Sequence, residues 1–342
     1  MISVVIPLYN REALVCETLD SILAQTLTDW ECVVVDDHST DGSAAVVRRY
    51  AEQDPRIKLL IRPGDRPKGA CACRNFGFER SRGELVYFFD SDDLVSPQLL
   101  ETLARKMTED PRAEYGVFPM EQFTDDKNAP CHTSRPFRAE RGSLFHQIVG
   151  CRVQVHTPNV IWRRALLEKA VAADRLWKET LPCGQESELY ARLVGIAGEG
   201  TWFDVPAMVH ARLHPGSISG KTSRTAERDD NMFRCRASLH DFYSGIGKMT
   251  PALHALLLRS LLRFQMISVL ISGNGNVSRK YFGEIWSKSK TTPHDLGVAS
   301  LSLALLVFGP LLRLSIGILN RMGIPLLHRK CDVTKKRNPR TS

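Results

Sequence analysis

Leu85-Val86-Tyr87-Phe88-Phe89-Asp90-Ser91-Asp92-Asp93 is the stretch on which the reading of this chain turns. The five apolar residues read as a buried strand. They run straight into Asp90, Asp92 and Asp93, so three carboxylates arrive on one turn. Carboxylates packed this closely repel one another unless a cation or a cationic neighbour compensates. Mg²⁺ and Mn²⁺ are hard cations that typically take one or two carboxylates plus substrate phosphates. Taken alone, the same residues could be a solvated loop that caps a following helix at Ser96-Pro97.

Upstream, strand and helix patterns alternate. Residues 2–6 form a short β-branched run that Pro7-Leu8-Tyr9-Asn10 breaks. Residues 11–27 place Leu14, Thr18, Leu19, Ile22 and Leu23 at helical spacing. A second strand at 31–35 ends in Asp36-Asp37-His38-Ser39-Thr40-Asp41-Gly42. A helix over 44–51, a strand over 57–61 and a helix over 70–80 lead to the strand at 85–89. Repeats of this length imply right-handed crossovers and a mostly parallel α/β sheet flanked by helices. Tyr9-Asn10, Asp36-Asp37 and Asp90–Asp93 each follow the carboxyl end of a strand, the edge where ligands bind in open α/β sheets. From about 112 to 215 the periodicity weakens into short strands, tryptophans and prolines. A helix returns over 251–272, and residues 296–312 are seventeen positions without a formal charge.

The chain of 342 residues is 43% hydrophobic and 25% charged, which argues against disorder and against a polytopic membrane protein. Its formal charge of +8 is concentrated. Residues 313–342 hold eight lysines and arginines against the single Asp332, a net +7, which leaves +1 for everything before them. A nearly neutral body with a basic tail points to a surface-seeking appendage and away from a nucleic-acid partner. Nine cysteines lack paired metal spacing, Cys71 and Cys73 being one residue apart. Their odd number and the absence of a leader-like start lead us to expect a reducing cytoplasm.

Four motifs occur in order: Pro7-x-Tyr9-Asn10, Val35-Asp36-Asp37-x-Ser39-Thr40-Asp41-Gly42, Gly69-Ala70-x-x-x-Arg74-Asn75-x-Gly77 and Phe89-Asp90-Ser91-Asp92-Asp93. That series resembles the family 2 glycosyltransferases, which have the GT-A nucleotide-sugar-binding fold, a Rossmann-like sheet. The resemblance is dense over 1–100 and thinner to about 219. It implies a nucleoside-diphosphate sugar donor and a divalent cofactor, Mg²⁺ or Mn²⁺. By resemblance, Pro7, Tyr9, Asn10, Asp36 and Asp37 would hold the nucleotide, Arg74 would approach the diphosphate, Asp92 would be the principal metal ligand and Asp90 would lie near ribose and metal. His210-Ala211-Arg212-Leu213-His214 is similar to the family's basic segment near the diphosphate, with Arg212 on the phosphates and His214 as a further candidate metal ligand.

The family's base comes from a Glu-Asp pair opening a helix that ends in Arg. Here Gln185-Glu186-Ser187-Glu188 stands ahead of Arg192. Counting back from Arg192 puts Glu186 where the family has aspartate and Gln185 where it has glutamate, a departure. Glu188 is the rival two residues on, and an acidic first turn favoured by the helix dipole would look the same. The resemblance implies an inverting displacement: a base takes the proton of an acceptor hydroxyl, which attacks the anomeric carbon from the opposite face. A transferase-fold binding protein is the non-enzymatic alternative, supported by Gln185. A sugar-phosphate nucleotidyltransferase is disfavoured because Pro7-Leu8-Tyr9-Asn10-Arg11 lacks the glycine-rich phosphate loop.

The expected organisation is a catalytic domain over 1–220 (1–100 nucleotide-sugar half, 101–220 acceptor half), a helical extension over 221–295 and a hydrophobic, basic tail over 296–342. As a helix, 296–312 would span about 26 Å, just short of a hydrocarbon core of roughly 30 Å. A short apolar helix followed by basic residues is a two-signal membrane anchor. The expectation is therefore attachment at the cytoplasmic face of the inner membrane and a glycan or lipid-linked acceptor, the alternative being helices that pack as core.

Overall fold

The computed structural model describes residues 1–125, 132–150, 152–153, 155–173, 175–179, 181, 185–197, 199–214, 226–267, 275–289 and 295–305. The chain begins with β1 (Ile2–Leu8), α1 (Val15–Leu23), β2 (Trp30–Asp36), α2 (Ser43–Gln53), β3 (Ile57–Ile61), α3 (Ala70–Arg80) and β4 (Leu85–Phe88). These follow the sequence pattern closely. The first helix starts at Val15 because residues 12–14 form a turn, and Phe89 falls just outside β4.

The order continues with β5 (Leu94–Val95), α4 (Leu99–Glu109), β6 (Ala113–Val117), β7 (Glu121–Phe123), β8 (His132–Thr133), α5 (Leu144–Val149), β9 (Val160–Arg163) and α6 (Arg164–Ala173). Then come α7 (Gln185–Ile196), β10 (Glu199–Trp202), β11 (Val209–Arg212), α8 (Ala226–Gly245), α9 (Pro251–Ile267) and α10 (Gly275–Lys288). Seven strands form the main sheet in the order β10-β6-β9-β4-β1-β2-β3. All pair in parallel except β9, which is antiparallel to both β4 and β6. A second sheet, β5-β11-β7-β8, is small.

Both faces of the main sheet are buried, which is why its strands are continuous apolar runs. On β1, Val4, Ile6 and Leu8 join Leu19, Val34, Tyr87 and Phe89 on the side of α1, α2 and α4. Val5 faces the other way, into a core with Phe88, Trp162, Trp177, Leu189 and Tyr190. On that face α3 lies close to the strands. A Cβ at Gly77 would stand 2.5 Å from Val5 Cγ1, so only glycine permits the approach. Gly69, at φ +140°, takes a conformation that side chains rarely adopt and starts the helix.

Two compact units divide the chain, Met1–Ser260 and Leu261–Ser342. The first runs well past the 220 read from the motifs because α8 and the start of α9 are tied to the catalytic body. Arg236 donates to the Val149 carbonyl at 3.1 Å, Lys248 to Gly195 at 2.9 Å and the Tyr243 hydroxyl to Ala191. In the second unit, Ser302 on the helical segment 295–305 exchanges hydrogen bonds with Gln265 at 2.6 and 3.2 Å. Residues 268–272 of the expected 251–272 helix and 306–342 of the tail lie outside the described residues. Among the described residues, no helix is long and apolar enough to cross a membrane.

Candidate active site

The chain runs outward from β1 through β2 to β3, then returns to place β4 on the other side of β1. That reversal is the topological switch point, where a crevice opens at the carboxyl ends of the strands. Tyr9, Asn10 and Arg11 leave β1 there, Asp36 and Asp37 end β2, and Asp90–Asp93 follow β4.

At the β1 and β2 ends of the sheet edge, Pro7 sits within β1 opposite Val35. Asn10 is left-handed at φ +49° and is braced by Thr40, whose N–H donates to Asn10 Oδ1 at 2.8 Å. Asparagine tolerates this conformation better than most residues. Tyr9 is 38% exposed, with the Lys68 ammonium 3.8 Å from its ring centroid, so it offers a flat ring at the mouth. Asp36 is buried and accepts from Ser39 N–H at 3.1 Å. Asp37 is buried against Arg62, a partner that sequence reasoning did not find because it stands beyond β3 in no motif.

The acidic turn is held from several directions. Arg74 is a buried side chain of α3. Its guanidinium pairs with Asp90 at 2.6 Å and lies 4.6 Å from the centroid of Trp177. Burial opposes the Arg74 charge, but Asp90, Cys71 and Glu186 outweigh it and hold the guanidinium firmly protonated. Asp90 is pushed above the usual carboxylate range by burial; Arg74 pulls it back, while Asp92 and Glu186 add to the push. Asp93 is pushed well above that range by burial, then by Asp90 and Asp92, with the Arg212 N–H at 2.8 Å opposing. Asp92 Oδ2 receives two basic groups, Arg11 Nε at 3.0 Å and His214 Nε2 at 3.0 Å.

Arg212 is buried, and its guanidinium bridges Glu17 at 2.6 Å and Asp125. It also lies over the ring of Phe123 at 4.8 Å. The fold thus brings Asp90, Asp92, Arg212 and His214 together from β4 and β11. Arg11 is the neighbour that the motif reading passed over, although it directly follows Asn10.

No three of the described His, Cys, Asp and Glu side chains are grouped to hold a metal unaided. A cation of the Mg²⁺ or Mn²⁺ type nevertheless fits this turn, since such ions need only one or two protein carboxylates when phosphates supply the rest. Burial first, and then the neighbouring carboxylates, raise Asp90 and Asp93, and a bound cation would relieve that cost of charge. Asp92, Asp90 and His214 are the residues that would hold it.

The two carboxylates that open α7 have different surroundings. Glu188 is 1% exposed and sits between Arg192 Nε at 3.0 Å and Lys178 Nζ at 3.2 Å. Glu186 is partly exposed, and its Oε1 accepts from the Thr157 hydroxyl at 3.0 Å. Among the described residues Glu186 has no basic partner in an ion pair, yet it lies near enough to act on both Asp90 and Arg74. Gln185 turns back to donate to the Leu181 carbonyl at 2.6 Å.

Comparison with known proteins bears on the family and the fold. Residues 3–172 match the family model described as Glycosyl transferase family 2. The uncharacterized glycosyltransferase EpsJ of Bacillus subtilis is 23% identical over 283 residues, which cover 80% of this chain and 79% of EpsJ. The crystal structure of S. aureus TarS 1-349 in complex with UDP-GlcNAc superposes with a TM-score of 0.68 at 20% identity, covering 94% of this chain and 92% of that one. The mannosyltransferase PcManGT of Pyrobaculum calidifontis, in complex with GDP-Man and Mn²⁺, gives 0.50 at 16% identity, covering 94% and 87%. With its motifs at the switch point of a GT-A sheet, this chain belongs to glycosyl transferase family 2 and is a glycosyltransferase.

Proposed function

We propose that the enzyme transfers one sugar, with inversion, from a nucleoside-diphosphate sugar to an acceptor hydroxyl, with Glu186 as the general base. The observation that carries this reading is the contrast on α7: Glu188 is consumed by Arg192 and Lys178, whereas Glu186 keeps an accessible carboxylate beside the acidic turn. Glu186 Oε1, oriented by Thr157, takes the acceptor proton as the hydroxyl oxygen bonds to the anomeric carbon and the bond to the diphosphate breaks. General-base assistance contributes typically 10²–10⁴-fold.

Asp92, Asp90 and His214 hold Mg²⁺ or Mn²⁺ in this reading. When bound, the cation supplies charge stabilisation for the departing diphosphate. Arg212 contributes cationic charge from the protein side. Its side chain is 4% exposed, whereas those of its partners Glu17 and Asp125 are 50% and 67% exposed, so solvent screens the carboxylate side of each pair more than the guanidinium. Tyr9, Asn10, Asp36 and Asp37 cradle the nucleotide, with Pro7 shaping the end of β1, and Arg74 keeps Asp90 in register.

The acceptor in this reading is a glycan or a lipid-linked sugar at the cytoplasmic face of the inner membrane. Among the described residues of the second unit, Met266, Trp286, Leu296, Leu301 and Leu303 are large apolar side chains that stand exposed. The basic tail follows them in sequence, and such residues gain roughly 1 kcal/mol each near an anionic leaflet. Binding of the whole chain to anionic but not neutral liposomes at low salt supports this placement; indifference to both removes it.

The test of the activity is a panel of nucleotide sugars incubated with Mn²⁺ or Mg²⁺, followed for donor hydrolysis and for the anomeric configuration of any product. Metal-dependent turnover with an inverted product is expected. Tight donor binding with no turnover of any sugar would favour the transferase-fold binding protein, and a retained configuration would remove the single-displacement mechanism.

A further inference from the structure

Residues 175–179 link α6 to α7 without forming a helix or strand, yet side chains from several elements hold them. Asn75 of α3, only 4% exposed, accepts from the Trp177 N–H at 2.8 Å and donates to the Trp177 carbonyl at 2.9 Å and to Glu179 Oε1 at 2.9 Å. One amide side chain thereby satisfies both backbone groups of a residue 102 positions away, as a neighbouring strand would. From the other side, Arg192 of α7 donates to the Leu176 carbonyl at 2.6 Å. Lys178 reaches Ser238 of α8 at 2.7 Å and Glu188 at 3.2 Å.

The indole of Trp177 completes the joint. It meets Phe88 of β4 edge-on at 5.3 Å and Tyr190 of α7 at 6.1 Å, and the Arg74 guanidinium lies over it. Phe88 is two residues before Asp90, Arg74 pairs with Asp90, and Tyr190 is one helical turn beyond Glu186. The acidic turn and the helix that carries Glu186 are therefore referenced to the same residue, and Asn75 fixes that residue's backbone.

We propose that Asn75 is a positioning residue: by clamping the Trp177 backbone it sets α7, and so Glu186, against the Arg74–Asp90 pair. The proposal rests on reading Glu186 as the base. A buried amide could have satisfied itself on its own helix or on solvent. This one directs its hydrogen bonds to a segment whose tryptophan touches both β4 and α7.

The experiment compares Asn75→Ala, Asn75→Asp and Asn75→Asp/Glu179→Gln in the full chain. Its readouts are hydrogen exchange over 175–179, calorimetric affinity for the nucleoside diphosphate, and kcat and KM of transfer. Asn75→Ala should speed exchange at Trp177 and lower kcat by about 10–100-fold, the cost of misplacing a reacting group by an ångström or less, with nucleotide affinity held within about threefold. Asn75→Asp keeps the acceptor for the Trp177 N–H but loses the donor to the Trp177 carbonyl and sets a second carboxylate beside Glu179, so adding Glu179→Gln, which removes the repulsion alone, should recover part of the lost kcat. Unchanged exchange in Asn75→Ala, unchanged kcat once exchange has accelerated, or nucleotide affinity falling in step with kcat would each overturn the proposal. So would a double variant no better than Asn75→Asp. If Asn75→Ala does not fold, the Asp pair alone decides. Should Glu186→Gln prove fully active, the base assignment fails, and the exchange data still judge the clamp separately.

Discussion

Residues 1–100 and residues 112–214 contribute to one sheet by different means. In the first region β1, β2 and β4 are buried on both faces and run parallel, so hydrophobic strands and amphipathic helices suffice. In the second, short strands are secured by single polar side chains. Arg163 donates to the Ala113 and Met107 carbonyls at 2.7 Å each, Asn159 to Phe118 at 3.1 Å, and Asn75 spans to Trp177. The first region is built by pattern and the second by individual contacts, and the site needs both.

The largest expected effect breaks the site and spares the fold. Asp92→Ala should lower metal-dependent transfer by about 10³-fold or more, since a bound metal supplies several kcal/mol of charge stabilisation. Thermal stability should move little, because the loss of the pairs with Arg11 and His214 is offset by relief of the crowding on Asp90 and Asp93. Near-wild-type initial rates, or full activity in excess EDTA, would contradict the assignment.

A contact-built region should suffer badly from one large deletion. Trp177→Ala removes a fully buried indole that touches Phe88, Tyr190 and Arg74. Unfolding measurements should show a loss of about 3–5 kcal/mol. A loss below about 1 kcal/mol would mean that the second region does not depend on this joint.

How much of this was legible follows from the same division. Three of the four motifs lie at the ends of strands and the third in order opens α3, so the elements of residues 1–100 and the acidic turn could be read directly. Arg11, Arg62 and Thr157 could not, because each acts through a contact with a residue remote in sequence, Asp92, Asp37 and Glu186. Glu186 and Glu188 could not be told apart either. Both are acidic residues in one first turn, and it is the ion pairs of the buried Glu188 with Arg192 and Lys178 that make their surroundings differ. The antiparallel β9 was also illegible, since direction leaves no mark on three apolar residues and an arginine.

That pair of glutamates sharpens the comparison. Glu188→Ala leaves Arg192 and Lys178 without their carboxylate, and breaking a buried pair costs about 3–5 kcal/mol; Lys178 is partly exposed, so a value near the lower end is expected. Glu186→Ala should cost less than about 1 kcal/mol. Denaturant melts of the two variants side by side check this, and equal losses would show that both carboxylates are structural.

The smallest effect lies in the pattern-built region. Glu31 is buried with Ser3 at 2.8 Å and Lys58 at 2.7 Å. Burial alone would raise its carboxyl, but Lys58, Ser3 and the Arg82 N–H outweigh it and hold it below its ordinary value near 4.5. Its contribution is therefore complete above that value and is lost as pH falls through the lower folded one. Glu31→Gln should destabilise by about 1–2 kcal/mol at neutral pH, and the gap from wild type should close under acid. A gap that stays constant from pH 7 to the acid limb would show that Glu31 gains nothing from its charge.

The central claim is that Glu186 is the base at a donor site formed by the switch-point turns. The most direct measurement is transfer by Glu186→Gln beside calorimetric donor affinity. The substitution keeps shape and hydrogen bonding to Thr157 while removing the proton acceptor. The account predicts turnover lower by about two to four orders of magnitude with donor affinity nearly unchanged. Wild-type turnover by Glu186→Gln, with the loss appearing instead in Glu188→Gln, would contradict it.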